Sequence, residues 1–242
     1  MKLLLKIYAD YHTHTYYSDG KSTIEDNVKI AIARGLKTIG ISDHGYKHYY
    51  FGVKYDNYAK IRAEIDALKE KYKNIGILMG TECNILDDKG NIDLDEHIAS
   101  LVDYVIAGYH FGSKIYSLRS GANLIGNYLK PLKFTQVEYN TRALINAMKN
   151  NDLFILAHPG DKGDVAIEEV AKIAMETNTI LEINERHHNL TLEQLLKIKD
   201  YDLKFILSSD AHLAQNVGKV DGAIKRILAS GLDLDKVVNI IK

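Results

Sequence analysis

With 242 residues, 46% apolar and 26% charged, the chain can bury a sizeable core and carries no compositional mark of a disordered or fibrous protein. Barrels of alternating strands and helices often reach this length as one unit, so one domain over 1–242 is expected. A formal net charge of -1 gives no overall pull toward nucleic acid or an anionic membrane, and neither is favoured as a partner.

The opening Met1-Lys2-Leu3-Leu4-Leu5-Lys6-Ile7 is interrupted by a lysine and followed by no small-residue cleavage site, so it reads as the approach to a first strand over 5–10. No apolar run nears the roughly 18 residues of a membrane span. The lone Cys83 allows no intrachain disulfide and reads as a small buried apolar residue, and together these features fit a cytoplasmic protein. Ser22, three residues before Glu25, carries a capping signature for a helix with Val28, Ile30, Ala31 and Ile32, and Gly35 stops it. A strand over 38–42 comes next, then an aromatic loop over 46–54 and a helix over 56–73 with Ile61, Ile65 and Leu68 on its apolar stripe. Further strands span 75–80, 104–108, 153–157, 180–183 and 204–208, each too short for a helix and rich in Ile, Leu or Val. The predicted helices between and after them cover 134–150, 165–177, 192–198 and 223–229, with a short terminal one near 235–241. The segment 111–130 reads as a long loop, and Pro131 and Pro159 mark places where the chain turns away from regular structure. This alternation is the sequence form of repeated β-α units around a parallel sheet.

Residues just past the strands carry the chemistry, because the carboxyl ends of barrel strands converge on one mouth. Strand one runs into His12-Thr13-His14, where alternation points both imidazoles to one side, with Asp19 in the next turn. The later strands lead to Asp43-His44, Glu82, His110, His158 and Asp210-Ala211-His212. A single histidine is more often packed or exposed than a ligand, and a single strand-end aspartate is often a helix cap. Recurrence at the same topological point in most units favours metal binding. The set of His12, His14, Asp19, His44, Glu82, His110, His158, Asp210 and His212 exceeds the needs of one ion, so two or three divalent ions are expected. Imidazole and carboxylate without thiolate suit zinc, manganese or iron. Asp43 beside His44 is expected to orient an imidazole.

In order, Asp10-Tyr11-His12-Thr13-His14 with Ser18-Asp19-Gly20, Ser42-Asp43-His44, Gly80-Thr81-Glu82, Asp103-Tyr104 through His110, Ala157-His158-Pro159 and Ser209-Asp210-Ala211-His212 resemble the signatures of the PHP (polymerase and histidinol phosphatase) superfamily of metal-dependent phosphoesterases. The resemblance implies a distorted (β/α)7 barrel, like a TIM barrel, with a trinuclear site. It places His12, His14, Glu82 and Asp210 on one ion, Glu82, His110 and His158 on a second, and Asp19, His44 and His212 on a third. Some relatives carry a histidine one position after Asp19, where this chain has Gly20.

The reaction so implied is hydrolysis of a small phosphate monoester, histidinol phosphate or another phosphorylated metabolite, by metal-activated water attacking phosphorus in line. Asp210, His212 and Arg186 are the residues expected to act closest to the chemistry. Cationic donors for the phosphate are sought in Arg119, Lys162 and Arg186, with Arg186 preferred. His187 and His188 are adjacent in an extended segment and point opposite ways, so at most one, His187, is expected at the substrate. Tyr16 and Tyr17 are candidates for the pocket wall, His48 for an aromatic lid, and His97 for a structural role. The rival readings are a phosphodiesterase or nuclease, and a metal-stabilised module without catalysis. Oligomeric state is open at this level.

Overall fold

The computed structural model describes residues 5–129, 132 and 135–241; Met1 to Leu4, Pro131 and Phe134 lie outside the described residues. In chain order the elements are β1 (Lys6–Ile7), β2 (Ala9–Asp10), α1 (Ile24–Ala33), β3 (Thr38–Ile41), α2 (Tyr58–Lys71), β4 (Gly76–Asn84), α3 (Glu96–Leu101), β5 (Tyr104–Gly108) and α4 (Leu118–Tyr128). They continue with α5 (Val137–Asn150), β6 (Ile155–Leu156), α6 (Ile167–Thr177), β7 (Ile180–Asn184), α7 (Leu192–Ile198), β8 (Phe205–Ser208), α8 (Asp221–Ser230) and β9 (Ile240–Ile241).

Strands β2 to β8 form one seven-stranded sheet in sequence order, every neighbouring pair parallel. Helices cover its outside, and the sheet curls into a nearly closed barrel. Strand alternation divides the side chains between two cores. Ile39, Ile41, Ile77, Met79, Val105, Ala107, Leu181, Ile183, Phe205 and Leu207 face the helices, while Leu78, Tyr104, Ile106, Ile155, Ile180 and Ile206 fill the barrel. Tyr104 lies across the interior beneath the mouth. A Cβ at Gly40 would fall 2.0 Å from its hydroxyl and one at Gly80 2.3 Å from its ring, so both positions require glycine. Its Oη donates to the Tyr11 carbonyl at 2.6 Å, and Tyr11 and Phe154 complete an aromatic floor.

Among the described residues no ladder joins β8 to β2. That seam is closed by an isolated pairing of Thr13 with Ala211 and by the fully buried side chain of Asn239. Its amide nitrogen donates to the carbonyls of Ala9 (2.8 Å) and Leu207 (2.7 Å), and its oxygen accepts from Leu207 N–H at 3.0 Å. One amide thus serves backbone groups on both edge strands. Asn239→Ala leaves three buried backbone groups unpaired, at about 1–3 kcal/mol each; the expected loss is above ~3 kcal/mol in urea unfolding, and a loss below ~1 kcal/mol would refute the role.

Several expectations are corrected. The first strand breaks at Tyr8: β1 pairs antiparallel with β9, and only β2 enters the barrel. The expected terminal helix near 235–241 is one 3-10 turn at Leu234–Lys236, started by Asp233 bonding Asp235 N–H. The chain then runs extended along β8, Val238 N–H bonding the Phe205 carbonyl at 2.9 Å, because the seam uses Asn239 and β-branched Val237 and Val238 suit a strand. The cap of α1 is Thr23, in a capping box with Asp26, one residue beyond Ser22. Helix α4 interrupts the expected loop over 111–130, started by a Ser117–Ser120 capping box. Among the described residues no helix is long and apolar enough to cross a membrane.

Candidate metal centre

The same alternation that fills the barrel carries on past the strand ends, so inward positions two residues further along face the mouth. Gly40 and Ser42 lead to His44, Gly108 to His110, and Ser208 to Asp210 and His212, while in the longer β4 Gly80 leads to Glu82 within the strand. All nine expected ligands meet there. Asp19 arrives by a different route. Asp43 accepts from Thr15 N–H and Thr15 Oγ1, each at 2.6 Å, and from Ser18 Oγ, which fixes the turn before Asp19. Asp43 therefore braces the Asp19 turn rather than an imidazole, a correction that stems from its proximity to the Thr15–Ser18 backbone.

Glu82 is fully buried at the centre. Its Oε1 lies 2.9 Å from His158 Nε2 and 3.1 Å from His110 Nε2. Its Oε2 lies 2.9 Å from His44 Nδ1, 3.3 Å from His12 Nε2 and 3.5 Å from His14 Nε2. Asp210 Oδ1 is 3.3 Å from both His14 Nε2 and His212 Nδ1, and Asp19 Oδ1 is 3.0 Å from His212 Nε2 and 3.6 Å from His44 Nε2. The His12 and His14 Nε2 atoms face each other at 3.1 Å.

These atoms suit an ion better than they suit one another. His14 Nδ1, His44 Nδ1, Asp19 Oδ1, Glu82 Oε2 and Asp210 Oδ1 are inaccessible to solvent yet make no hydrogen bond of sound geometry. Four sets of donor atoms lie within 4.8 Å of one another: His14, Asp19, His44 and His212; His12, His158 and Asp210; His12, His14 and Glu82; and His44, Glu82 and His110. Such spacing allows ligand bonds near 2.0–2.3 Å. Burial opposes charge on His12 and His44, but Glu182, Glu82 and Asp210 raise the first well above its usual value, and Glu82 and Asp19 push the second up to about 10. Burial, with His212 and His44, lowers His14 to about 3. The imidazoles outweigh burial at Glu82 and Asp210 and hold both carboxyls well below their usual range.

A ring of buried polar groups orients the converging side chains, and sequence reading missed most of it. Glu182 accepts from His12 Nδ1 at 2.7 Å and from His158 N–H at 2.8 Å. Asn84 bonds His110 Nδ1 at 3.0 Å. Asn184 donates to Glu182 and to Asp210 Oδ2 and accepts from Arg186 N–H and His187 N–H. Glu182, Asn84 and Asn184 share the inward parity of Glu82, His110 and Asp210, and that was the available signal. Two of the converging residues have left-handed backbones without being glycine, His158 at φ 29° and Asp210 at φ 50°. Each costs about 1–3 kcal/mol, a strain typical of functional sites.

Of the substrate candidates, the Arg186 guanidinium lies on His212, 2.8 Å from Nε2 and 3.8 Å from Asp210 Oδ1. His187 stands between Asp161 (3.1 Å) and Asp210 (3.4 Å). Lys162 pairs with Asp161 and so reaches the cluster only through it. His188 turns outward to Arg226. Arg119 is a correction: α4 carries it to Asp88, 3.2 Å away, with its guanidinium over the Tyr139 ring, and none of these groups belongs to the cluster. His48 stacks on His44 and Phe51, its Nδ1 accepting from the backbone of Tyr50 and Phe51. Tyr16 and Tyr17 stack together, both hydroxyls bonding Glu64. His97 is exposed on α3, its ring beside Tyr55.

Seven parallel strands opening on a mouth of converging imidazoles and carboxylates define a metal-dependent hydrolase barrel. The chain belongs to the PHP domain family, whose sequence pattern matches residues 10–186. It is 33% identical over 252 aligned positions to a protein of Thermoanaerobacter sp. (strain X514) named "Probable phosphatase", covering 97% of this chain and 91% of the relative. It is 28% identical to the DNA polymerase/3'-5' exonuclease PolX of Bacillus subtilis, over 86% of this chain but 34% of that protein. The histidinol phosphate phosphatase of Lactococcus lactis, solved with zinc, L-histidinol and phosphate, superposes with a TM-score of 0.60 at 18% identity, covering 97% of this chain and 99% of that one. The chain is a hydrolase of phosphoric ester bonds within this family.

Proposed function

We propose that the protein is a metal-dependent phosphomonoesterase acting on a small phosphorylated metabolite, with the nine converging residues holding two or three divalent ions. The observation that carries the reading is the division of Glu82: one oxygen faces His110 and His158, the other His12, His14 and His44. A bridging carboxylate does this. On this reading His12, His14, Glu82 and Asp210 hold one ion, Glu82, His110 and His158 a second, and Asp19, His44 and His212 a third. The donor sets His12, His14 and Glu82, and Asp19, His44 and His212 with His14, follow this grouping, whereas two others cross it, placing His158 with His12 and Asp210 and His44 with Glu82 and His110. Bound divalent ions supply Lewis acidity, lowering the pKa of water and neutralising charge on the phosphoryl group.

The chain's own residues do the rest. Arg186, half exposed at the rim, offers its guanidinium to a phosphate oxygen. His187, held by Asp161, lies beside the other oxygen of Asp210 and offers a ring nitrogen to the ester oxygen. Asn184 sets both side chains by accepting their two backbone N–H groups. Histidinol phosphate is one candidate substrate, being the ester named for the Lactococcus lactis protein.

The test is phosphate release from a panel of monoesters by purified protein with zinc, manganese or iron added back. No release from any ester with any of the ions overturns the reading. Release of nucleotides from single-stranded DNA at a higher rate would favour the PolX-like alternative. With the best ester, Arg186→Ala is expected to lower kcat/KM by about 10- to 100-fold, the worth of a charge-assisted hydrogen bond of ~1.5–3 kcal/mol. An unchanged KM and kcat would remove Arg186 from the phosphate.

A further inference from the structure

Asp93 is a fully buried carboxylate outside the ligand set, and its contacts all run to the frame around His110 and His44. The pairing of Ile85 with Ile92 folds the segment after β4 back on itself and returns residue 93 to Asn84. There Oδ1 accepts from Asn84 N–H at 2.5 Å, and Oδ2 accepts from Asn84 Nδ2 at 2.7 Å and Lys47 N–H at 2.8 Å. A Cβ at Gly45 would lie 2.4 Å from the carboxylate oxygens, so the loop bearing His44 is also shaped around Asp93. Burial pushes the Asp93 carboxyl up to about 6, and its three N–H donors favour the ionised form.

The consequence lies one residue further on. The Asn84 amide could present either its oxygen or its nitrogen to His110. Two acceptors decide the matter: Nδ2 is engaged by Asp93 Oδ2 and by the Gly45 carbonyl at 3.3 Å. Oδ1 is thereby turned to His110 Nδ1 at 3.0 Å and Ser113 Oγ at 3.2 Å. An amide oxygen only accepts, so the hydrogen of His110 sits on Nδ1 and the lone pair on Nε2, the nitrogen 3.1 Å from Glu82 Oε1. With the amide reversed, its N–H group would face Nδ1, favouring the other tautomer and placing a hydrogen where an ion must bind.

We propose that Asp93 is a positioning residue that sets the tautomer of His110 through Asn84 and thereby the affinity of the ion His110 holds. This rests on the reading of His110 as a ligand. The experiment uses zinc as the probe and three variants, Asp93→Asn, the exchange Asn84→Asp with Asp93→Asn, and His110→Ala. Zinc affinity is read by competition with a chromophoric chelator, the His110 ring nitrogens by 15N chemical shifts of the zinc-loaded protein, and folding by thermal unfolding.

Asp93→Asn is expected to weaken one zinc per chain by about 10- to 100-fold and to remove the Nδ1–H signal of His110. The exchange is expected to restore both. A carboxylate at 84 can only accept from His110 while the amide at 93 donates to it, although the bond from Lys47 N–H is lost. A role limited to holding the Lys47 loop would gain nothing from the exchange, so failure of rescue in a folded exchange variant overturns the proposal. If Asp93→Asn alone does not fold, the exchange variant decides: affinity near the starting protein supports the proposal and a loss of tenfold or more refutes it. Unchanged affinity in Asp93→Asn beside a loss in His110→Ala overturns this inference alone, whereas unchanged affinity in His110→Ala overturns the ligand reading beneath it.

Discussion

Replacing Glu82 by alanine is expected to lower kcat/KM for phosphate release by on the order of 10³-fold or more and to strip the protein of at least one metal ion. Among the described residues no other side chain touches so many of the converging groups: five imidazoles lie within 3.5 Å of its two oxygens. Lewis-acid assistance is worth several kcal/mol of barrier, and each ~1.4 kcal/mol is tenfold in rate. Removing the carboxylate also leaves buried imidazoles without their counter-charge, a loss of about 3–5 kcal/mol in stability. Glu82→Gln separates the two effects, because it keeps the shape and removes the charge. Metal content by elemental analysis and steady-state kinetics on both variants are the measurements. Retention of metal and of activity within tenfold in Glu82→Ala would show that the bridge is not needed.

Stripping the metals with a chelator is expected to abolish phosphatase activity and to lower Tm by roughly 8–16 °C, with both restored by adding the ion back. Glu82, Asp210 and Glu182 crowd buried imidazoles around one mouth, and without an ion five of the atoms there lack a sound partner. An ion present at about 1,000 times its dissociation constant stabilises the native state by ~4 kcal/mol, and for a chain of this size each kcal/mol moves Tm by about 2–4 °C. Calorimetry of the chelated and reloaded protein checks it. An unchanged Tm beside lost activity would mean that the ions act in chemistry alone and that the mouth is held by protein contacts.

Most of the converging residues were legible in the sequence because they obey a local rule: an apolar strand alternates, and the same alternation carried on toward or past its end reaches the mouth. His44, Glu82, His110 and Asp210 conform to it, whereas His158 follows the barrel-filling Ala157 and reaches the mouth through its left-handed backbone. Their supports were harder to read. Glu182 lies 170 residues from His12 and Asn84 lies 26 from His110, so each acquires meaning only when the barrel brings neighbouring strands into register. Arg119 stood in what read as a loop beside the mouth, but the Ser117–Ser120 capping box starts a helix there and Asp88 claims the guanidinium. The terminal segment has a helical look until Asn239 is seen bonding β2 and β8 at once, a requirement no local pattern expresses.

The seam at Asn239 gives the ions a further consequence. His12 leaves the first strand of the barrel and Asp210 the last, and both stand directly above the place where no ladder joins them. On the proposed grouping His12 and Asp210 hold one ion, which would tie the two edges together, much as the Asp10–Ser209 contact does across 199 residues of chain. Unlike a disulfide, such a link dissociates when the chain unfolds, so it would stabilise only through its binding to the folded edges. On the proposed reading the ions would hold the barrel shut as well as take part in cleavage, so metal supply would govern the protein's stability together with its turnover.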